Sequence, residues 1–179
     1  LSLHDALPIS VIRKLIESGM STEEMIFFLE TCIRYGISMV IAGRTSSGKT
    51  TLLNALLGSI PNDKRIYSIE SGARELFLVK RNAYGEVLNN VVHTLSRPSE
   101  NAAYNITQEN LVVAALRFDP DLIAVGEIRD EEANAAVEAS LTGHTVVTTV
   151  HSGPAEAAHG RIALLCQRRF QLGMAVSLS

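Results

Sequence analysis

The apolar positions fall into blocks whose spacing changes along the chain. Val11, Ile12, Leu15 and Ile16 recur at helical spacing, and Gly19 is placed to stop that helix. Ser21, with Glu24 three residues on, makes a capping-box pattern ahead of a second helix. Its predicted stripe is Met25, Phe28, Leu29, Cys32 and Ile33, and Gly36 ends it. From Ile37 the texture changes. Residues 38–42 read as a short buried strand, followed by a loop of Gly, Ser and Thr and a helix over 49–57 closed by Gly58 and Pro61. Residues 65–70 read as a second strand and 76–80 as a third; elsewhere in 71–99, Asn82, Gly85, Asn89, Asn90 and Pro98 are turn chemistry. Thr107 can cap a helix carrying Leu111, Val112, Ala115 and Leu116, and Asp119-Pro120-Asp121 breaks it. Residues 122–125 form another buried strand, Asp130 can cap a helix running through Val137 and Leu141 to Gly143, and 145–150 form one more strand. Ser152 and Pro154 then open a helix toward Leu165.

Strands that alternate with helices imply right-handed crossovers and a mostly parallel sheet flanked by helices, an α/β class. The predicted organisation is a helical segment over 1–36, an α/β core over 37–167, and the start of a further region over 168–179. With 179 residues, 46% of them hydrophobic, the chain can bury a proper core. The formal net charge is −3 and the basic residues are scattered, which argues against direct nucleic-acid binding. Cys32 and Cys166 stand far apart, outside any metal-binding pattern, and read as small buried hydrophobes in a reducing compartment. No apolar run reaches the roughly 20 residues that span a bilayer, and no leader pattern opens the chain, so a cytoplasmic location is expected. Residue 1 is Leu, and Leu1–Pro8 joins poorly to the helix pattern beyond it; the chain reads as a fragment, with residues 1–8 a non-native addition.

The loop after the first strand carries the sharpest chemistry. Gly43-Arg44-Thr45-Ser46-Ser47-Gly48-Lys49-Thr50 fits G-x-x-x-x-G-K-[ST] in full, between a buried strand and a helix. Small residues let the backbone wrap phosphate oxygens, and its N–H groups then face inward as an anion nest. The helix after the loop aims its free N–H groups and positive dipole end at the same point. The candidate nucleotide-binding residues are Gly43, Thr45, Ser46, Ser47, Gly48, Lys49, Thr50 and Thr51. Lys49 can bridge the β- and γ-phosphates of ATP, and the Thr50 hydroxyl can ligate Mg²⁺.

Hydrolysis also needs groups that hold the metal and orient water, and in open parallel sheets these lie at the carboxyl ends of strands. Glu70, Glu127 and His151 all meet that rule. A Walker-B Asp is missing from the end of the strand over 122–125, where Gly126 stands instead, and Asp121 lies at the strand's wrong end.

Together these segments resemble the secretion ATPase superfamily of type II and type IV secretion, pili and conjugation, and its CpaF-like (Tad pilus) members in particular. Four stretches match in order between about Val11 and Gln167. They are the loop 43–50, 66–70 as the Asp box, 115–129 as an atypical Walker B ending in Gly126-Glu127, and 142–151 as the His box. The resemblance implies a RecA-like core in a ring hexamer, with ATP turnover driving pilus assembly or export at an inner-membrane platform, on the cytoplasmic side of the membrane. It further implies that Glu127 polarises the attacking water, that Glu70 assists at the metal–water shell and that His151 senses the γ-phosphate. Two departures stand out: Glu70 is followed by Ser71 where the family has Asp, and His151 by Ser152-Gly153 where it has Ala-Asn. Arginines from neighbours complete such sites; among Arg34, Arg81, Arg97, Arg117, Arg129 and Arg161, Arg129 and Arg97 are favoured. The alternatives are a nucleotide-gated assembly module without catalysis, a small-molecule P-loop kinase and a DNA-stimulated ATPase.

Overall fold

The computed structural model describes residues 7–129, 132–154 and 156–166. Helix α1 spans Leu7–Glu17, and α2 spans Glu23–Arg34. The capping residue of α2 is Thr22, not Ser21: its hydroxyl accepts from Met25 N at 3.2 Å. Ser21 is buried and turns its hydroxyl to the Thr22 carbonyl. The predicted stripe holds at Leu29, Cys32 and Ile33 but not at its start. Five consecutive apolar residues, 25–29, let it begin at Met25 or Ile26, and packing selects Ile26 with Cys32 and Ile33. Met25 and Phe28 stay exposed.

Strand β1 (Met39–Gly43) leads through the glycine-rich loop into α3 (Lys49–Gly58), and β2 is Arg65–Ser71. The third strand, β3, is Asn90–Ser96 rather than 76–80. Residues 74–80 do run extended, with Leu76 and Leu78 buried against Leu53, Leu56 and Leu57 of α3. Several of their backbone groups, however, bond to side chains, and the segment joins no strand of the sheet. Asn54 takes Phe77 N (2.8 Å) and Glu75 O (2.8 Å), and Asn89 takes Lys80 N (2.8 Å) and Leu78 O (2.8 Å).

Helix α4 (Gln108–Ala115) begins at a capping box, Thr107 with Asn110. Then come β4 (Leu122–Ile128), α5 (Glu132–Leu141), β5 (Thr145–His151) and a helix over 156–166, here α6. Asp130 and residues 168–179 lie outside the described residues, as do residues 1–6 of the segment read as non-native. The five strands form one parallel sheet in the order β1-β5-β4-β2-β3. Side chains alternate across it. Tyr67, Ile69, Ile123 and Val125 pack on one face with α4 and the alanines of α5 (Ala133, Ala136, Ala139). Ile66, Leu122, Ala124 and Val147 pack on the other with α3. Both faces are therefore covered, as a parallel sheet requires, and the open chemistry is left at the strand ends.

Candidate nucleotide site

The loop between β1 and α3 alternates its backbone handedness. Ser46 (φ 60°) and Gly48 (φ 88°) are left-handed, and this alternation turns successive N–H groups toward one point. Gly48 is favoured mainly by its backbone conformation. Its φ suits glycine, and a Cβ there would lie 2.6 Å from the Met20 methyl group. No side chain caps the start of α3, so its first N–H groups keep free capacity for an anion. Thr45, Ser46, Ser47 and Thr51 are exposed around the loop, and Thr50 is half-buried.

Lys49 is only 8% exposed. Its Nζ donates to the Arg44 carbonyl (2.9 Å) and lies 3.3 Å from Nδ1 of His151. An ammonium has no lone pair to offer, so Nδ1 must accept, and the ring proton sits on Nε2. That nitrogen lies 2.8 Å from Oε1 of Glu127. Oε1 is buried and has no hydrogen-bond partner, so it retains acceptor capacity. Glu127 Oε2 accepts from Arg129 (2.7 Å), whose guanidinium is held above its ordinary pKa chiefly by that bond. Lys49, His151, Glu127 and Arg129 thus form one chain of contacts across the tops of β1, β5 and β4.

Strand β4 is irregular where it meets this chain. Val125 pairs with Thr148 and Ile128 with Val150, so Gly126 and Glu127 together face the single residue Thr149. This is a β-bulge, which redirects side chains. The Thr149 hydroxyl donates to the Gly126 carbonyl at 2.7 Å. Just beyond, Arg129 N donates to Oε1 of Glu132 at 2.6 Å.

Glu70 is the next-to-last residue of β2 and is 3% exposed. Its Oε1 accepts from Glu75 N (2.6 Å) and Leu76 N (2.9 Å), while Oε2 is buried without a hydrogen-bond partner. A Cβ on Gly126 would stand 3.3 Å from the Glu70 Cγ and 3.6 Å from the Ile69 carbonyl oxygen. A side chain at 126 would therefore crowd Glu70 on the adjacent strand.

The fold brings Glu70, Glu127 and His151 to the same sheet edge as Lys49, and Arg129 joins them. Arg97 stays apart, bonded by Nε to the Tyr104 carbonyl and lying over that residue's ring. A cavity of about 620 Å³ opens between α3 and residues 74–81, with Thr50, Thr51, Arg74, Glu75 and His93 in its wall. A second, of about 560 Å³, lies near Lys64 and Asp121 and holds, of the candidate groups, only Arg34. His93 Nδ1 sits 2.6 Å from the Ser68 hydroxyl; burial, then the Arg74 charge, lowers this ring's pKa to about 4. Thr149 and Glu132 are absent from the residues singled out by sequence. A bulge leaves no mark in the apolar pattern, and a Thr inside a strand reads as ordinary strand composition.

The family profile described as "Type II/IV secretion system protein" matches residues 6–178. The chain belongs to that family. Among its relatives in the type II/IV family, the type IV secretion system protein PtlH of Bordetella pertussis is 37% identical over 143 residues, covering 79% of this chain and 40% of PtlH. The VirB11 ATPase of the Brucella suis type IV secretion system, solved with sulphate, superposes with a TM-score of 0.65 at 30% identity, over 92% of this chain and 44% of that one. The pilus retraction motor PilT, solved with ADP, gives 0.51 at 29% identity, over 69% of this chain and 33% of that one. The chain spans less than half the length of each of these three relatives. The RecA-like α/β class expected from the motifs is the fold of this family, and the five parallel strands agree with it.

Proposed function

We propose that this chain is the Mg²⁺-dependent, ATP-hydrolysing core of a secretion or pilus-assembly motor. One observation carries the reading. A buried ammonium at an uncapped helix start touches an imidazole, which touches a carboxylate with an open acceptor oxygen. The first half of that arrangement grips phosphate and the second positions water. The loop amides and Lys49 offset the charge of the β- and γ-phosphates. Glu127 Oε1 accepts a hydrogen bond from the water, whose oxygen bonds to the γ-phosphorus as the bridging P–O bond breaks, leaving ADP and phosphate. His151, between Lys49 and Glu127, registers whether the γ-phosphate is in place.

The donor set suits Mg²⁺, which keeps several waters and binds through one or two protein oxygens plus phosphates. The Thr50 hydroxyl and the orphaned Glu70 Oε2 are such oxygens, and no cluster of three acidic, His or Cys ligands exists among the described residues. When bound, Mg²⁺ would supply neutralisation of the phosphate charge. Arg129 is exposed enough to exchange Glu127 for a phosphate.

The core runs over 37–167, and the helices before it belong to a preceding segment. Names of relatives support the wider reading: VirB11 and PilT are an ATPase and a motor. A homo-hexameric ring docked on an inner-membrane platform, on the cytoplasmic side, fits that family role. No helix among the described residues is long and apolar enough to cross a membrane.

The test pairs binding with turnover. Labelled ATP with Mg²⁺ should bind saturably, and Lys49→Ala should abolish that binding. Glu127→Gln should bind ATP but release no phosphate; ordinary steady-state turnover in this variant removes the catalytic assignment. Free phosphate released without an acceptor excludes a small-molecule kinase, and sedimentation with and without ATP reads ring formation.

A further inference from the structure

We infer that Thr149 is a positioning residue for the reaction: its hydroxyl pins the β4 bulge that aims Glu127 between His151 and Arg129. The inference rests on Glu127 being the group that orients water. Glu127 owes its direction to local backbone geometry, since the bulge adds one residue to β4 between the pairs Val125–Thr148 and Ile128–Val150. A bulge interrupts the ladder and leaves peptide groups that need other partners. At Gly126 that partner is a side chain: Thr149 Oγ donates to the carbonyl at 2.7 Å. Thr149 is 2% exposed, so no solvent stands ready to replace the bond.

The place of the bond matters. Gly126 has no side chain to lodge its peptide in the core, and Glu70 on the adjacent strand limits it only on one side. The carboxylate one residue on holds Oε1 2.8 Å from His151 and, in this structure, Oε2 2.7 Å from Arg129. A rotation of the Gly126–Glu127 peptide, the group the Thr149 hydroxyl holds, moves both. Thr149 itself touches no reacting atom. Its neighbour two residues on is His151, so one short stretch of β5 both pins the bulge and contacts the carboxylate the bulge presents.

The experiment uses the 179-residue chain with Thr149→Val, which keeps the shape and removes the hydroxyl, and Thr149→Ser, which keeps the hydroxyl. In Thr149→Val, kcat should fall about ten- to a hundredfold, the scale on which a misplaced catalytic group acts. The Kd for ATP should stay within about twofold, because the loop and Lys49 are untouched. Thr149→Ser should restore most of kcat. In the Glu127→Gln background, already without turnover, Thr149→Val should cause no further loss. Equal loss of ATP binding and kcat in Thr149→Val, or no rescue by Ser, overturns the inference in favour of a general packing role. Unchanged kcat overturns it outright. Should Thr149→Val fail to fold, Thr149→Ser and Thr149→Cys decide: Cys, with a weak donor, should fall well below Ser in kcat at equal ATP affinity, and equality overturns the inference. If the unmodified chain shows no turnover, the wider ATPase reading has failed, and that outcome is separate from every comparison among position-149 variants.

Discussion

Gly126 ties two carboxylates together without carrying any chemistry. In sequence it registers as a missing Asp, a departure from the common Walker-B pattern. In the fold it is the condition for Glu70 to sit where it does, because a Cβ there would press on the Glu70 Cγ at 3.3 Å. Such contacts are tighter than ordinary packing, and overpacking of this kind costs about 1–3 kcal/mol. Gly126→Ala should therefore lower stability by about 1 kcal/mol, at the small end, since one flexible side chain can shift. That shift displaces Glu70, so phosphate release should slow while ATP affinity holds. Urea unfolding with a binding and turnover assay checks all three; unchanged turnover would free Glu70 from the role proposed for it. The four groups Lys49, Glu70, Glu127 and His151 were legible in sequence because each sits at a position the strand–loop logic singles out. Thr149 and Glu132 were not, because their importance lies in which backbone group they hold, and only the tertiary fold decides that.

The strands and helices were legible wherever apolar spacing and capping chemistry agreed, as at α3, β4, β5 and the Thr107 cap of α4. They were misread where side chains take over backbone bonding. Residues 76–79 form a short apolar run of the kind a buried strand has, but the side chains of Asn54 and Asn89 take up backbone groups of that segment, which joins no strand of the sheet. The true third strand, Asn90–Ser96, is polar at its start and carries His93, so it looked like loop. Its pairing with β2 sets His93 Nδ1 against the Ser68 hydroxyl, half-buried and near Arg74. Acid stability depends on this placement. The ring protonates near its ordinary 6.5 in the unfolded chain but only near 4 in the folded one. Between those values the unfolded state binds more protons, so stability falls as pH drops from 6.5 to about 4. His93→Gln should flatten that part of the curve. Urea midpoints at steps across the window test it, and an equally steep decline in the variant would assign the loss to other groups.

Taken whole, the molecule is a parallel sheet with both faces covered and its phosphate loop hung from a strand that pairs on one side only. Among the described residues β1 is hydrogen-bonded to β5 alone, and Val40 on it is exposed. Strands β4 and β2, flanked on both sides, hold the buried centre. Local opening should therefore be easiest at β1. Amide hydrogen exchange of the 179-residue chain should be faster across 39–43 than across 122–125, and ATP with Mg²⁺ should slow the former. Equal protection in both strands without nucleotide would contradict this. In the order β1-β5-β4, the strand that leads into the glycine-rich loop and the strand that bears Glu127 are not paired with each other. The polar contacts that link Lys49 to Glu127 run through His151, at the end of the intervening strand. That strip is a single crankpin: a displacement of its end by a fraction of an ångström shifts the contact with Lys49 and the contact with Glu127 in the same stroke.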